Sequence, residues 1–265
     1  MNDHHRPHPD LGLGIDVGGS TIKGGVVDLR SGRLAGPRRT VATPKPATPG
    51  AVVGAIADIA SGFAWQGPIG VAVPAVVTTG VTRSAANVDR SWIEADVASL
   101  CRNRLREGRV VVINDADAAG IAEHRYGLPR PGLVVVLTFG TGIGSAILHD
   151  GVLVPNSELG HLLLDDARAE HLAAAAVKNR DGLDYPGWAA RVTRVLRHIE
   201  DLFWPSTFVL GGEISTHADR WIPHLNVRTP VAVTRLLNTA GLVGAARAAD
   251  MAFGTRREAL TDPTP

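Results

Sequence analysis

Five short segments of this 265-residue chain combine residue types that could do chemistry. In Asp16-Val17-Gly18-Gly19-Ser20-Thr21-Ile22-Lys23 a carboxylate is followed by two glycines, two hydroxyls and a cation. Glycines let backbone N–H groups turn towards a phosphate without Cβ interference. Ser20 and Thr21 add donors, Lys23 adds a positive charge, and Asp16 could hold Mg²⁺ directly or through water. A plain β-hairpin turn with a capping aspartate would use the same residues. Thr138-Phe139-Gly140-Thr141-Gly142-Ile143-Gly144-Ser145 is a second glycine-rich segment, and alone it also fits a flexible hairpin. One such segment in each half of the chain suits a nucleotide or polyphosphate gripped between two lobes.

The other three segments suit a polyol. Asn114-Asp115 ends an apolar run, and ligand sites of open α/β sheets gather at such ends. An aspartate there can take the proton of a sugar hydroxyl. The structural alternative is a helix N-cap, for which Asp117 is the better candidate because the helix proper starts at Ala118. Glu158 and His161, with Glu170 further on, could meet hydroxyls or could be surface groups. In the polar segment from Ala85 to Trp92, Asn87 could bond a sugar hydroxyl and Arg90 an anion.

Positioning these groups requires strands that end at turns. Leu11–Val17, a strand starting at Ile22 and a further strand after Ser31-Gly32 read as strand, glycine turn, strand, turn, strand. Residues 51–61, 94–106, 116–126, 168–179, 188–203 and 240–249 read as helices. In 94–106, Val97, Leu100, Cys101 and Leu105 are expected near one face. Residues 69–73, 110–113, 133–137, 145–148 and 208–210 read as strands. Strands alternating with helices favour α/β, and the hairpins make the sheets mixed. The two hairpins suggest an internal duplication.

Composition excludes several classes. Apolar residues are 45% and charged residues 20%, which rules out wholesale disorder. The net charge of +1 gives no field for broad nucleic-acid binding. A single cysteine, Cys101, excludes an internal disulfide and a cysteine-based zinc site, and suggests a reducing, cytoplasmic setting. No segment reads as a membrane span or a secretory signal. No GxGxxG, Walker A, HExxH or GxSxG motif is present.

GIDVGGSTIKGGVVD, SAANVDRSW, INDADAAGIAEHRYG, LTFGTGIGSAILHDGVLVPNSELGH and NTAGLVGAA together resemble the ROK family of sugar kinases, and within it the actinobacterial polyphosphate glucokinases. The resemblance runs over nearly the whole chain. It implies an actin/hexokinase/Hsp70-like (ribonuclease H-like) duplicated fold with two lobes, at 11–114 and 115–239. A C-terminal helix at about 240–254 would return to the first lobe, and 1–10 and 255–265 would be flexible tails. It implies Asp115 as catalytic base. Asn87, Asn114, Glu158, His161 and Glu170 would contact glucose or a related hexose. The donor, polyphosphate or ATP with Mg²⁺, would meet Asp16, Gly18, Gly19, Ser20, Thr21, Lys23, Thr138, Gly140, Thr141, Gly142, Gly211 and Gly212. A homodimer is the family's expectation. The cysteine-rich zinc loop of most ROK proteins is absent, as in the polyphosphate glucokinases.

The family's GGG-x-S-K appears here as Gly211-Gly212-Glu213-Ile214-Ser215-Thr216, which adds a negative charge and removes a positive one beside a polyanion. Glu94 adds another where a small residue is common. A sugar-binding protein with weak or no kinase activity, made so by Glu213, is therefore the alternative. ROK repressors need an N-terminal helix-turn-helix, for which the ten residues before Leu11 give no room. A basic track for polyphosphate could draw on Lys23, Arg38, Arg39, Lys45, Arg83 and Arg90, which are scattered in sequence. Neither the donor nor the choice between glucose and mannose is decided by these residues.

Overall fold

The computed structural model describes residues 10–85, 88–127 and 130–254. Leu11–Val17 (β1) and Thr21–Asp28 (β2) form an antiparallel hairpin that turns through Gly18 and Gly19. Arg33–Leu34 (β3) and Arg39–Ala42 (β4) pair with opposite ends of β2. Helix α1 (Pro49–Ser61), capped by Thr48, leads to Ile69–Val73 (β5), which runs parallel to β1. All five residues of β5 are buried, as a central parallel strand covered on both faces requires. Val77–Thr78 (β6), Val81–Thr82 (β7) and Ala95–Asp96 (β8) make a small separate sheet. Helix α2 (Val97–Leu105) then leads to Val110–Asn114 (β9), parallel to β5. The main sheet runs β3-β2-β1-β5-β9, with β4 also on β2.

The second half repeats that order. Leu133–Phe139 (β10), Ile143–His149 (β11) and Val152–Val154 (β12) form an antiparallel meander. Leu163–Leu164 (β13) and Ala167–Arg168 (β14) form a hairpin of their own. Thr207–Gly211 (β15) runs parallel to β10 and Val231–Val233 (β16) parallel to β15, so the sheet reads β12-β11-β10-β15-β16. Register makes the repeat residue-specific. Asp16 lies opposite Lys23 and beside Ala72, and Thr138 lies opposite Gly144 and beside Gly211. The two glycine hairpins are therefore the same step of a repeated unit. This is the duplicated α/β architecture with mixed sheets that the resemblance implied.

Helices cross between the halves. α3 (Asp115–Ala122) follows β9 yet packs on β11, while α7 (Ala240–Phe253), near the C-terminus, packs on β1 and β5. α3 and α7 lie against each other, and a Cβ at Gly244 would overlap the carbonyl oxygen of Ala118. Only small residues allow that approach, which accounts for the alanine-rich sequences of both helices. Ala169–Ala173 (α4), Ala175–Arg180 (α5) and Tyr185–Phe203 (α6) cover the second sheet.

Each of the six expected helices shifts at one end or both, and two of them change in a way their neighbours explain. The helix expected over 94–106 begins only at Val97, because Ala95 and Asp96 pair with β7 and the Asp96 side chain accepts the Ser99 N–H as cap. Leu100 is exposed rather than on the buried face. The helix expected over 168–179 is broken at Ala174, whose φ of −58° and ψ of 153° leave the helical region.

Candidate functional site

Both glycine turns present backbone donors. In the first, Thr43 holds the loop: its hydroxyl donates to Gly18 O (2.6 Å) and its N–H to Ser20 O (3.0 Å). Gly18 N–H is used internally, on Thr21 O at 2.9 Å. The amides of Gly19 and Ser20, both exposed residues, have no acceptor among the described residues. In the second turn Gly140 N–H bonds Gly142 O at 3.0 Å, and the amides of Thr141 and Gly142 have no acceptor among the described residues. Each turn thus offers two consecutive N–H groups, the arrangement that binds anions. Gly212 follows β15 with φ of +92°, and a Cβ there would overlap the Phe139 backbone, so glycine is required.

Asp16 and Lys23 are cross-strand neighbours at the first turn, and both are half-buried. Burial raises the pKa of Asp16, and Lys23 partly offsets it. Gly241, at the start of α7, approaches the Asp16 carboxylate.

Asp115 is half-buried at the first turn of α3, where β9 ends. Its carboxyl is pushed up to about 7 by burial first and then by the charge of Asp16, with Glu158 adding to the push and a hydrogen bond from Ala116 N–H opposing it. Asp115 is therefore electrostatically coupled to the first hairpin on one side and to Glu158 on the other. Neighbouring Ala116 touches Gly144 of the second hairpin.

Asn114, not Asp117, caps α3. Its Oδ1 accepts the N–H groups of Ala116 (2.9 Å) and Asp117 (3.0 Å), and its Nδ2 donates to Ala75 O at 3.2 Å. The helix starts one turn earlier than local propensity suggests because β9 delivers Asn114 into capping position. That commits the Asn114 oxygen to the backbone and leaves one amide N–H beyond these bonds.

Glu158, His161 and Glu170 come together. His161 Nε2 stands 3.9 Å from Glu158 and 3.6 Å from Glu170. Burial, with Glu170 adding, raises the pKa of Glu158, and His161 lowers it. Ser145, buried on β11, clamps the chain on either side of Glu158: its hydroxyl donates to Ser157 O (2.7 Å) and accepts Leu159 N–H (2.9 Å). Glu170 reaches the second hairpin, its Oε2 lying 2.6 Å from where a Gly142 Cβ would stand. Asn87 lies outside the described residues. The added charge of Glu94 is met by Arg83 in an ion pair, and Arg39 lies over the Phe63 ring at 5.4 Å. The structure therefore engages two members of the suggested basic track elsewhere.

Two features escaped the sequence reading. Asn156, with φ of +61°, exchanges two hydrogen bonds with the backbone of Val77 (2.9 and 2.8 Å) and donates its own N–H to Asp117 Oδ2 at 2.8 Å. Asp117 is buried, its Oδ1 has no hydrogen-bond partner among the described residues, and burial pushes its pKa up to about 6. Val76 N–H in turn bonds the Ser84 hydroxyl at 2.9 Å. Lys178, Tyr185, His217 and Arg220 also converge near the second hairpin. An asparagine two residues before Glu158 was the available signal for the first, since asparagine tolerates left-handed backbone.

Among the described residues no three His, Cys, Asp or Glu side chains gather to hold a metal. Mg²⁺ ordinarily takes one or two carboxylates with phosphates and waters, so Asp16 beside free backbone donors fits that ion. No helix of the described residues is long and apolar enough to cross a membrane.

The ROK family model matches residues 12–178. Polyphosphate glucokinase of Mycobacterium tuberculosis (strain H37Rv) is 55% identical over 239 residues, covering 89% of this chain and 90% of that protein. Glucokinase of Streptomyces coelicolor is 30% identical over 313 residues, covering 89% and 96%. The solved structure of an inorganic polyphosphate/ATP-glucomannokinase from Arthrobacter sp. strain KM superposes with a TM-score of 0.87 at 46% identity, covering 92% of this chain and 99% of that one.

Proposed function

This chain belongs to the ROK family, and on that premise we propose that it transfers a phosphoryl group from inorganic polyphosphate or ATP to the 6-hydroxyl of glucose. The observation that carries the reading is Asp115: a carboxyl with its pKa near 7, coupled to a phosphate-type turn through Asp16 and to a polar cluster through Glu158. A base must hold its proton weakly enough to shed it at neutral pH and strongly enough to accept one.

In this mechanism Glu158, His161 and Glu170 orient the sugar and one N–H of Asn114 reaches it. Asp115 takes the proton of the 6-hydroxyl. The oxygen forms a bond to the terminal phosphorus of the donor as the bond from that phosphorus to its bridging oxygen breaks. The shortened donor leaves with that electron pair. Backbone N–H groups of Gly19, Ser20, Thr141 and Gly142 and the Lys23 ammonium hold the phosphates. Mg²⁺, held by Asp16 through water, would neutralise phosphate charge. The same duplicated scaffold supports two lobes that close on the substrates and exclude water. Family membership supports a homodimer, which sedimentation velocity tests.

Formation of glucose 6-phosphate, measured with ATP and with polyphosphate as donors and with glucose and mannose as acceptors, tests the reading. Turnover with either donor on glucose is expected. Binding of glucose without turnover on any donor contradicts it and returns the alternative built on Glu213, an exposed residue at the start of the turn after Gly212.

A further inference from the structure

Lys178 Nζ and Arg220 Cζ each lie 4.4 Å from the ring centroid of Tyr185, and the His217 ring meets Tyr185 edge-on at 6.1 Å. Among the described residues neither cation is in an ion pair. These residues come from three separate segments, and a buried core holds them against the second hairpin. Phe139 directly precedes Gly140, Trp188 lies one turn after Tyr185, and Trp221 follows Arg220. The three rings are fully buried, with centroids 5.7 Å (Phe139–Trp188), 6.0 Å (Phe139–Trp221) and 4.8 Å (Trp188–Trp221) apart.

Backbone ties shorten the path further. Ala176 N–H donates to Gly140 O at 3.0 Å, so the helix carrying Lys178 starts on the hairpin itself. Leu183 N–H donates to Lys178 O at 2.9 Å and brings the chain round to Tyr185. Arg220 ends the 3-10 segment Glu213–Arg220 that opens immediately after Gly212. Both cations therefore sit on segments that begin at the backbone proposed to hold phosphate.

We propose that Lys178, Tyr185, His217 and Arg220 form a landing site for the distal phosphoryl units of a polyphosphate donor. The site rests on the kinase reading above and extends it from the reacting phosphate to the rest of the chain. Two cations held against one ring, neither in an ion pair among the described residues, suit a repeating polyanion, because each further phosphate meets a further charge-assisted donor. A nucleobase is poorly served here. With two cations already over Tyr185, stacking a base on that ring means displacing one of them and losing its cation–π contact. Glu213 and Asp219 lie on the same segment and Asp184 precedes Tyr185, and among the described residues none of these carboxylates forms an ion pair with Lys178 or Arg220.

The test compares wild type with the Lys178→Ala/Arg220→Ala double variant at saturating glucose, using long-chain polyphosphate, tripolyphosphate and ATP. The KM for long-chain polyphosphate is expected to rise about tenfold or more, with a weaker dependence on salt. The KM values for tripolyphosphate and ATP are expected to move less than about twofold. Lys178→Arg/Arg220→Lys, which keeps both charges, restores the long-chain KM and shows that the loss is not misfolding. An unchanged long-chain KM overturns the site, and so does a parallel rise for ATP, which would make it a nucleotide site. Equilibrium binding of long-chain polyphosphate to the same proteins reads the site without turnover. If wild type transfers from no donor, the kinase reading fails, and this binding difference alone decides the landing site. Equal affinity of wild type and double variant overturns it.

Discussion

The charge of Asp16, at the end of β1, raises the pKa of Asp115, at the first turn of α3. Burial is the larger cause, and the second carboxylate adds to it. The strands that lead to them, β1 and β9, flank β5 in one sheet, and all three run parallel and end on the same side. On the proposed reading, a carboxylate of the donor turn thus tunes the carboxylate of the base.

This coupling has a pH consequence. As the proposed base, Asp115 works deprotonated, so kcat/KM for glucose is expected to rise with pH through a limb near 7. Asp16→Asn removes one upward push and moves that limb to lower pH, whatever it does to the maximal rate. The pH–rate profiles of the two proteins check this. An unmoved limb contradicts the coupling.

Stability carries the opposite sign. With its pKa raised in the folded state, Asp115 makes that state bind more protons than the unfolded chain between the ordinary carboxylate range and about 7. Its contribution therefore favours folding at acid pH and is lost as pH rises across that window. Asp117, pushed up to about 6, acts in the same direction. Asp115→Asn is expected to raise Tm at pH 8 by roughly 2–8 °C, with the gain shrinking towards pH 4. Thermal melts across pH measure it.

Lys23 faces Asp16 across the hairpin, so Lys23→Ala removes a phosphate counter-charge and lets the Asp16 pKa climb further. The donor KM is expected to rise about tenfold with ATP and polyphosphate alike, and the glucose KM to stay within about twofold. Steady-state kinetics with each substrate varied in turn separate the two.

Asn156 joins the loop carrying Glu158 to Val77 in the first half and to Asp117 on α3. Asn156→Gly keeps the left-handed backbone but removes both side-chain bonds. It is expected to cost about 1–3 kcal/mol of stability and to raise the glucose KM severalfold, with the donor KM unchanged. Denaturant unfolding and glucose titration check both parts.

Much of this was legible in the residues. Leu11–Val17 and Ile69–Val73 are strands with the bounds their apolar runs indicate, and both glycine segments are hairpin turns. Asp115 stands at the strand end its spacing suggested. Misread features depend on partners distant in sequence. Asn114 displaces Asp117 as cap because β9 and Ala75 hold it in place. Leu100 keeps helical spacing with buried neighbours yet turns outward, since only the stripe through Val97 and Cys101 meets the first core. Lys178, Tyr185 and Arg220 share no local period, and only the packing of Phe139, Trp188 and Trp221 brings them together.

The central claim is that Asp115 removes the proton from the attacking hydroxyl. Asp115→Asn, which keeps the shape and loses the basicity, tests it most directly when kcat and glucose affinity are measured on the same preparation. The expected result is a fall in kcat of roughly 10²–10⁴-fold, with the calorimetric Kd for glucose nearly unchanged. Wild-type turnover in that variant would contradict the assignment.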